Sequence, residues 1–269
     1  MSQRYEYDVS IIIISHNHER YLEECLESIY QKTKKITFEI ILIDNIPKGE
    51  CAAIVKNKYP KVKLINNENI LGFSSNNNIG IKISKGEYIC ILNPDTKLKN
   101  NAIEILYNFL VEKRNVGTAG PKIYFPNGEL QYSCRKFPTF KSFILRRTPF
   151  RNLLIENKRD VNHLMNNWNH NSTRSVDWLL GACLMVKKGR IINIGLFDEK
   201  YELYCEDIDL CYSLKKANFN NYYINKAEIY HYHQKESDNK FLSKRTYIHF
   251  KSMFYFIKKQ KYMLNLFNG

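Results

Sequence analysis

Residues 9–45 read VSIIIISHNHERYLEECLESIYQKTKKITFEIILIDN. The run Val9–Ser15 is apolar almost without a break and rich in β-branched residues, the pattern of a strand buried on both faces in a parallel sheet. Ser15, His16 and Asn17 end it as a polar loop. Tyr21, Leu22, Cys25, Leu26 and Ile29 then mark one face of a helix. A second buried run, Phe38–Ile43, stops at Asp44 and Asn45. Strand, helix and strand joined by short connections predict the start of a right-handed α/β sheet. Ligands of such sheets bind beyond the carboxyl ends of the strands, where Ser15, Asn17, Asp44 and Asn45 fall.

The alternation continues outward from there. A helix near Ala52–Lys58 and a short strand, Lys63–Asn66, precede an Asn-rich stretch, Asn69 to Gly80, in which a glycine turn and small residues open a helix. Such a helix start lets a ligand approach free backbone N–H groups. Tyr88–Leu92 is another buried strand, followed by Asn93-Pro94-Asp95-Thr96. Ala102, Ile105, Leu106, Phe109 and Leu110 mark a helix, Val116–Ile123 a strand, and Pro126-Asn127-Gly128 a hairpin turn. Residues 135–175 differ in character. They carry Arg135, Lys136, Lys141, Arg146, Arg147, Arg151, Lys158 and Arg159, then an Asn/His-rich run, and their length suggests a functional loop or lid.

Val176–Val186 reads as one strand. Glu206-Asp207-Ile208-Asp209-Leu210 opens a helix marked by Leu210, Leu214 and Ala217 and ended at Asn218. Acids at a helix start are stabilised by the free N–H groups and the dipole. Asn220–Ile224 and Ala227–His233 read as two strands. The tail from Phe241 puts Tyr247, Phe250, Met253, Phe254 and Ile257 on one face, repeats Lys244, Lys251 and Lys258 on another, and contains no acid. It is an amphipathic helix that either packs on the domain or lies on a membrane surface.

The 269 residues, 44% hydrophobic, suffice for one sizeable core or two small ones. A net charge of +14 and a pI near 9.3 call for anionic partners: nucleic acid, phosphorylated small molecules or an acidic membrane. No recognisable nucleic-acid motif accompanies the charge, so no nucleic-acid partner is expected. The seven cysteines form no C-x-x-C pair, which argues against a zinc site and for reduced thiols in a cytoplasm. Ile11–Ile14 is too short for a signal core or a membrane span.

Several blocks recur in one order: strand-end Asp44; Gly72-Phe73-Ser74-Ser75-Asn76-Asn77-Asn78-Ile79-Gly80; Asn93-Pro94-Asp95; Asp177-Trp178 with Gly181-Ala182; Gly195-Leu196-Phe197-Asp198-Glu199; an aromatic run into Glu206-Asp207-Ile208-Asp209-Leu210; then Ala227 to His231. Together they resemble the inverting nucleotide-sugar glycosyltransferases of family 2, with the GT-A fold, in their rhamnosyltransferase-like branch. The resemblance implies a Rossmann-like, mostly parallel central sheet flanked by helices, with a C-terminal amphipathic helix. It implies a catalytic domain over residues 1–240, donor-binding to about 125 and acceptor-binding beyond, followed by a basic tail over 241–269.

It also implies roles. Asp207 is the expected general base, with Glu206 beside it. A sugar hydroxyl is a poor nucleophile, and a positioned carboxylate removes its proton as it attacks. Carboxylates packed together also raise one another's pKa, which favours a base. Ser15, Asn17, Asp44, Asn45, Gly72, Phe73, Asn78, Asn93 and Asp95 are expected to hold the donor, Asp44 accepting from its base or ribose. Trp178, Gly181 and Ala182 would border the donor sugar and acceptor. Mg²⁺ or Mn²⁺ is expected on Asp95 with His231 or His233. Asn93 stands where the family carries the first Asp of D-x-D, and the glycines usual after the last His are replaced by Gln234-Lys235-Glu236-Ser237. One carboxylate, with substrate phosphate and water, can still hold Mg²⁺. The implied reaction moves a sugar from a UDP- or dTDP-sugar to a hydroxyl of a saccharide or lipid-linked saccharide, with inversion. It would serve bacterial surface polysaccharide synthesis, in the cytoplasm or at the inner face of the cytoplasmic membrane. Two rival readings are a catalytically silent sugar-nucleotide-binding homologue and, from the charge alone, a basic nucleic-acid-binding protein.

Overall fold

Strands apolar at every position must be covered on both faces, and that requirement builds this chain in layers. The structure, a computed structural model, describes residues 4–47, 50–138, 164–232 and 244–260, the last segment with side chains from 247. Its first half runs β1 (Tyr7–Ser15), α1 (Glu19–Lys32), β2 (Phe38–Asp44), α2 (Cys51–Lys58), β3 (Lys63–Asn66), α3 (Phe73–Ile83), β4 (Gly86–Leu92), β5 (Thr96–Leu98), α4 (Ala102–Glu112) and β6 (Val116–Tyr124). The second half runs β7 (Leu130–Gln131), β8 (Cys134–Arg135), β9 (Arg174–Val176), β10 (Trp178–Leu179), β11 (Cys183–Lys187), α5 (Lys188–Asn193), α6 (Glu206–Lys216), β12 (Asn220–His231) and α7 (Lys244–Gln260).

The main sheet has the order β3-β2-β1-β4-β11-β6-β12-β5. Its first four strands are mutually parallel, as are β6 and β12. β11 lies antiparallel between β4 and β6, and β5 antiparallel on β12. Alternation along β1 divides the core. Ile11 and Ile13 face Leu22, Cys25, Leu26 and Ile29 of α1, with α2 and α4 on the same side. Ile12 faces Ile81 of α3, in a cluster shared with Ile191 of α5 and Leu210 and Leu214 of α6. All three isoleucines are fully buried, worth about 1.5–3 kcal/mol each. A Cβ on Gly80 would sit 2.6 Å from Ile12 Cγ2, so only glycine lets α3 lie this close to the sheet.

Two expectations are corrected here. Residues 176–186 are not one strand, because the chain changes partner twice: β9 pairs with β12, β10 with β8, and β11 with β4 and β6. Asn220–Ile224 and the segment from Ala227 instead belong to one strand, β12, which absorbs a register shift between Ile224 and Glu228.

The face expected of the C-terminal helix is also redrawn. Met253 and Phe256 enter a third cluster with Trp178, Tyr201, Cys205, Ile208, Cys211 and Tyr212, while Phe250 and Ile257 pack at its edge. Tyr247 and Phe254 point outward, 71% and 61% exposed. Polar contacts seal the dock: Ser252 Oγ donates to Leu203 O at 2.9 Å and Gln260 Nε2 to Asp209 Oδ1 at 2.7 Å. Lys259 Nζ bridges Asp198 at 2.9 Å and Asp209 at 2.7 Å. No helix among the described residues is long and apolar enough to cross a membrane.

Candidate active site

At the carboxyl ends of the parallel strands, Ser15 and Asp44 are register partners and both fully buried. Asp44 Oδ1 accepts the Ile46 N–H at 3.3 Å, whereas Asp44 Oδ2 and Ser15 Oγ meet no nitrogen or oxygen partner, only the weakly bonding Cys51 thiol. The Cys51 thiol lies beside both, pushed up to about 12 by its burial. Unmatched buried oxygens are costly, and a ligand with hydroxyl or N–H donors would satisfy these. Asn17, exposed in the loop after β1, has a left-handed φ of 60°.

Other expected donor residues are engaged within the protein. The Asn45 amide donates to Leu71 O at 2.9 Å, accepts Leu71 N–H at 2.9 Å and accepts Asn67 Nδ2 at 2.9 Å. Asn67 also donates to Asn76 Oδ1 at 2.7 Å, so a net of asparagines braces the loop leading to Gly72. Gly72 caps α3, and a Cβ there would stand 3.2 Å from Glu202 O. Phe73 follows with its ring edge-on to Phe197. Asn78 is a clamp: it donates to Phe197 O and Glu199 Oε1, both at 2.9 Å, and accepts Phe197 N–H at 3.1 Å.

The turn after β4 carries Asn93 and Asp95. Asn93 N–H donates to Ala182 O at 2.9 Å, and Asp95 O accepts Tyr232 N–H at 2.9 Å. Asp95 Oδ1 lies 3.4 Å from His231 Nε2, and both side chains are buried. His231 Nδ1 meets Gln131 Oε1 at 2.9 Å. An amide oxygen only accepts, so Nδ1 donates to Gln131, and Nε2 is the nitrogen that faces the carboxylate. That arrangement calls for a proton or a cation between them. An imidazole nitrogen with a carboxylate oxygen is a donor set that suits Mn²⁺ or Mg²⁺ with further oxygens from phosphate and water. Burial alone would raise the Asp95 carboxyl; His231, and His18 farther off, bring it below its ordinary value. Among the described residues no group of three or more His, Cys, Asp or Glu could hold a metal. His233, the other expected ligand, lies outside the described residues, as do the expected loop cations from Lys141 to Arg159.

Glu206 and Asp207 enter α6 through two successive left-handed residues, Tyr204 and Cys205, each at φ 70°. Backbone held there costs on the order of 1–3 kcal/mol per residue and is characteristic of functional sites. Asp207 accepts two backbone N–H groups, Ile208 at 2.8 Å on Oδ1 and Gly181 at 3.1 Å on Oδ2. Glu206 Oε2 is buried with no hydrogen-bond partner. Burial and the Asp207 charge push Glu206 up to about 8. Burial raises Asp207 as well, opposed by its two N–H donors and by Arg135. N–H donors stabilise a carboxylate, so of the pair Asp207 is the better-supported anion and Glu206 the carboxyl pushed up the more strongly by burial and its neighbour's charge. Asp209, the third acid of the cluster, serves the dock of α7.

Gly181 and Ala182 join the two halves. The Gly181 N–H holds Asp207, and the Ala182 carbonyl holds Asn93. Trp178 is 5% exposed in the third cluster, its Nε1 donating to Lys136 O at 2.9 Å. It reaches the site through Arg135, whose guanidinium lies 5.3 Å from the indole centre and whose charge acts on Asp207. Arg135 had stood out only as one cation of a basic loop. Gln131 and His18 carried no signal beyond residue type.

A profile described as Glycosyl transferase family 2 matches residues 10–179. Rhamnosyltransferase WbbL of Escherichia coli (strain K12) is 28% identical over 266 residues, covering 96% of this chain and 95% of that protein. The N-acetylglucosaminyl-diphospho-decaprenol L-rhamnosyltransferase of Mycobacterium tuberculosis (strain ATCC 25618 / H37Rv) is 25% identical over 266 residues, covering 92% and 83%. In fold the chain is similar to a crystal structure of GalNAc-T7 with UDP, GalNAc and Mn²⁺: TM-score 0.66, 17% identity, 88% of this chain and 46% of that one. It is also similar to S. aureus TarS residues 1–349: TM-score 0.56, 16% identity, 83% and 60%. The α/β layering, the strand-end acids and a profile spanning more than half of the residues agree: the chain belongs to glycosyl transferase family 2.

Proposed function

We propose that this glycosyltransferase moves a hexosyl or rhamnosyl unit from a UDP- or dTDP-sugar to a hydroxyl of a saccharide or lipid-linked saccharide, inverting the anomeric carbon. The observation that carries the reading is the linking of Asp207 to the Asn93–Asp95 turn across the two residues Gly181-Ala182. The unmatched oxygens of Ser15 and Asp44 suit the hydroxyls or ring N–H of a nucleoside. Asp95 and His231 would hold a divalent cation, Mg²⁺ or Mn²⁺, which supplies charge to offset the departing diphosphate. Asp207 takes the acceptor hydroxyl proton as the oxygen bonds to the anomeric carbon. The bond from that carbon to the diphosphate oxygen breaks, and its electron pair leaves with the diphosphate. One displacement of this kind inverts the centre.

The rhamnosyl preference and the place in bacterial surface polysaccharide synthesis rest on the two similar rhamnosyltransferases. A lipid-linked acceptor would bring the enzyme to the inner face of the cytoplasmic membrane, and the outward Tyr247 and Phe254 beside Lys251 and Lys258 offer a surface for it. The test is a screen of nucleotide-sugars with saccharide acceptors, reading nucleoside diphosphate release with Mn²⁺ and with chelator. Release with one donor class, lost on chelation and restored by Mn²⁺, is the expected result. Binding of donors without any release would mark a silent homologue.

A further inference from the structure

We infer that Gln131 is the positioning residue of the cation site: its side-chain oxygen fixes His231 with Nδ1 protonated, leaving Nε2 turned as a ligand toward Asp95. The inference rests on the reading that a divalent cation sits between Asp95 and His231.

The sheet places His231 but does not choose its nitrogen. His231 ends β12 opposite Thr96 of β5, which fixes its Cα beside the Asn93–Asp95 turn. Which nitrogen points at Asp95, and whether it bears a proton, is decided by what the other nitrogen meets. Gln131 meets it from β7, the return strand of the hairpin on β6, where it pairs with Ile123. Both side chains are buried, at 8% and 4% exposure, so water does not compete for the 2.9 Å contact. A ring nitrogen donating to a fixed oxygen makes the opposite nitrogen the ligand and raises its basicity. The need is greater here because Asn93 leaves Asp95 as the one carboxylate of its turn.

A packing role and a positioning role differ in the sign of two substitutions. Gln131→Leu keeps the volume and removes the acceptor. Gln131→Glu keeps the acceptor and adds charge. Loss of such an outer partner typically costs about 10–100-fold in metal affinity. The experiment titrates the purified full chain with Mn²⁺, read by electron paramagnetic resonance, with saturating UDP and separately with dTDP, alongside thermal melting. The inference requires wild type to bind Mn²⁺, the Leu variant to bind about 10–100-fold more weakly, and the Glu variant to bind at least as tightly as wild type. Equal losses in two folded variants, or unchanged affinity in the Leu variant, overturn it and leave the cation reading standing. No Mn²⁺ bound by wild type with either nucleotide overturns the cation reading and this inference with it. If the Leu variant does not fold, the Glu variant decides: weaker binding than wild type refutes the role.

Discussion

Replacing Glu206 by Gln should change how stability depends on pH, and the structure gives the sign and the size. Glu206 is buried, one of its oxygens is unpartnered, and burial with the Asp207 charge lifts it from an ordinary value of 4.5 to about 8. The folded protein therefore holds a proton over a range in which the unfolded chain has released it. Stability falls with pH wherever the native state binds more protons. For one such group the slope is about 1.4 kcal/mol per pH unit, from near pH 4.5 to near pH 8, or about 5 kcal/mol across the window. The amide of the Glu206→Gln variant has no proton to lose. Left unmatched, that amide adds a cost that does not vary with pH. Subtracting the two unfolding free energies at each pH reads the Glu206 proton together with its coupling to Asp207. Urea unfolding at pH 5, 6, 7 and 8 should show the variant gaining on wild type by about 1.4 kcal/mol per unit until the curve flattens near pH 8. A difference that stays constant over this range would show that Glu206 is ionised throughout and would remove the protonated partner from the site.

Asp207→Asn should lower turnover by on the order of 100-fold or more while donor affinity changes little, and near-normal turnover in a folded variant excludes Asp207 as the base. Asp209→Ala strips Lys259, Gln260 and Tyr201 of their shared acceptor. It should cost about 1–3 kcal/mol and expose the C-terminal helix to protease; an unchanged melting temperature with unchanged digestion speaks against the dock. The full chain should sediment with anionic liposomes more than with neutral ones, and less as salt rises, since each cation near an anionic leaflet adds about 1 kcal/mol. Equal and negligible sedimentation with both would leave Tyr247 and Phe254 as plain surface residues.

The half of the fold that was legible in the sequence is the half where chemistry leaves no choice. Ile11–Ile14 cannot face water on either side, so β1 had to be central, and its alternating side chains divide the two helical layers. Residues 176–186 misled because Leu179, Leu180 and Ala182 are as apolar as a strand, while the break is dictated by three distant partners. The asparagines misled in a different way. Asn45 and Asn78 have the right residue type for holding a nucleotide, yet their amide N–H groups are already spent within the protein. Which partners are in reach depends on Leu71, Asn67, Phe197 and Glu199, which local pattern does not place, and Asn78 Oδ1 keeps a second lone pair for a ligand. Gln131 lies 100 positions from His231, and only the pairing of β7 and β12 with β6 brings them together.

The acidic cluster carries the same lesson into chemistry. Glu206, Asp207 and Asp209 share a helical turn and nearly the same exposure, 8%, 8% and 4%. Composition assigns them one role; their oxygens receive three. Asp209 meets a lysine, a glutamine and a tyrosine and becomes a structural anchor. Asp207 meets two backbone N–H groups, which together with the Arg135 charge stabilise its carboxylate against burial. Glu206 meets no partner at its second oxygen, and burial with the Asp207 charge pushes its carboxyl up to about 8. One of the two donors to Asp207 comes from Gly181, whose neighbour Ala182 holds the Asn93 turn by its carbonyl. On the proposed roles, base and leaving-group side are spaced by backbone hydrogen bonds on a two-residue link. Rates depend steeply on such spacing, because a displacement of about 1 Å can cost on the order of 100-fold. On that proposal Asn93 can stand in place of a carboxylate without moving the reacting groups apart, since what the link uses of residue 93 is its N–H.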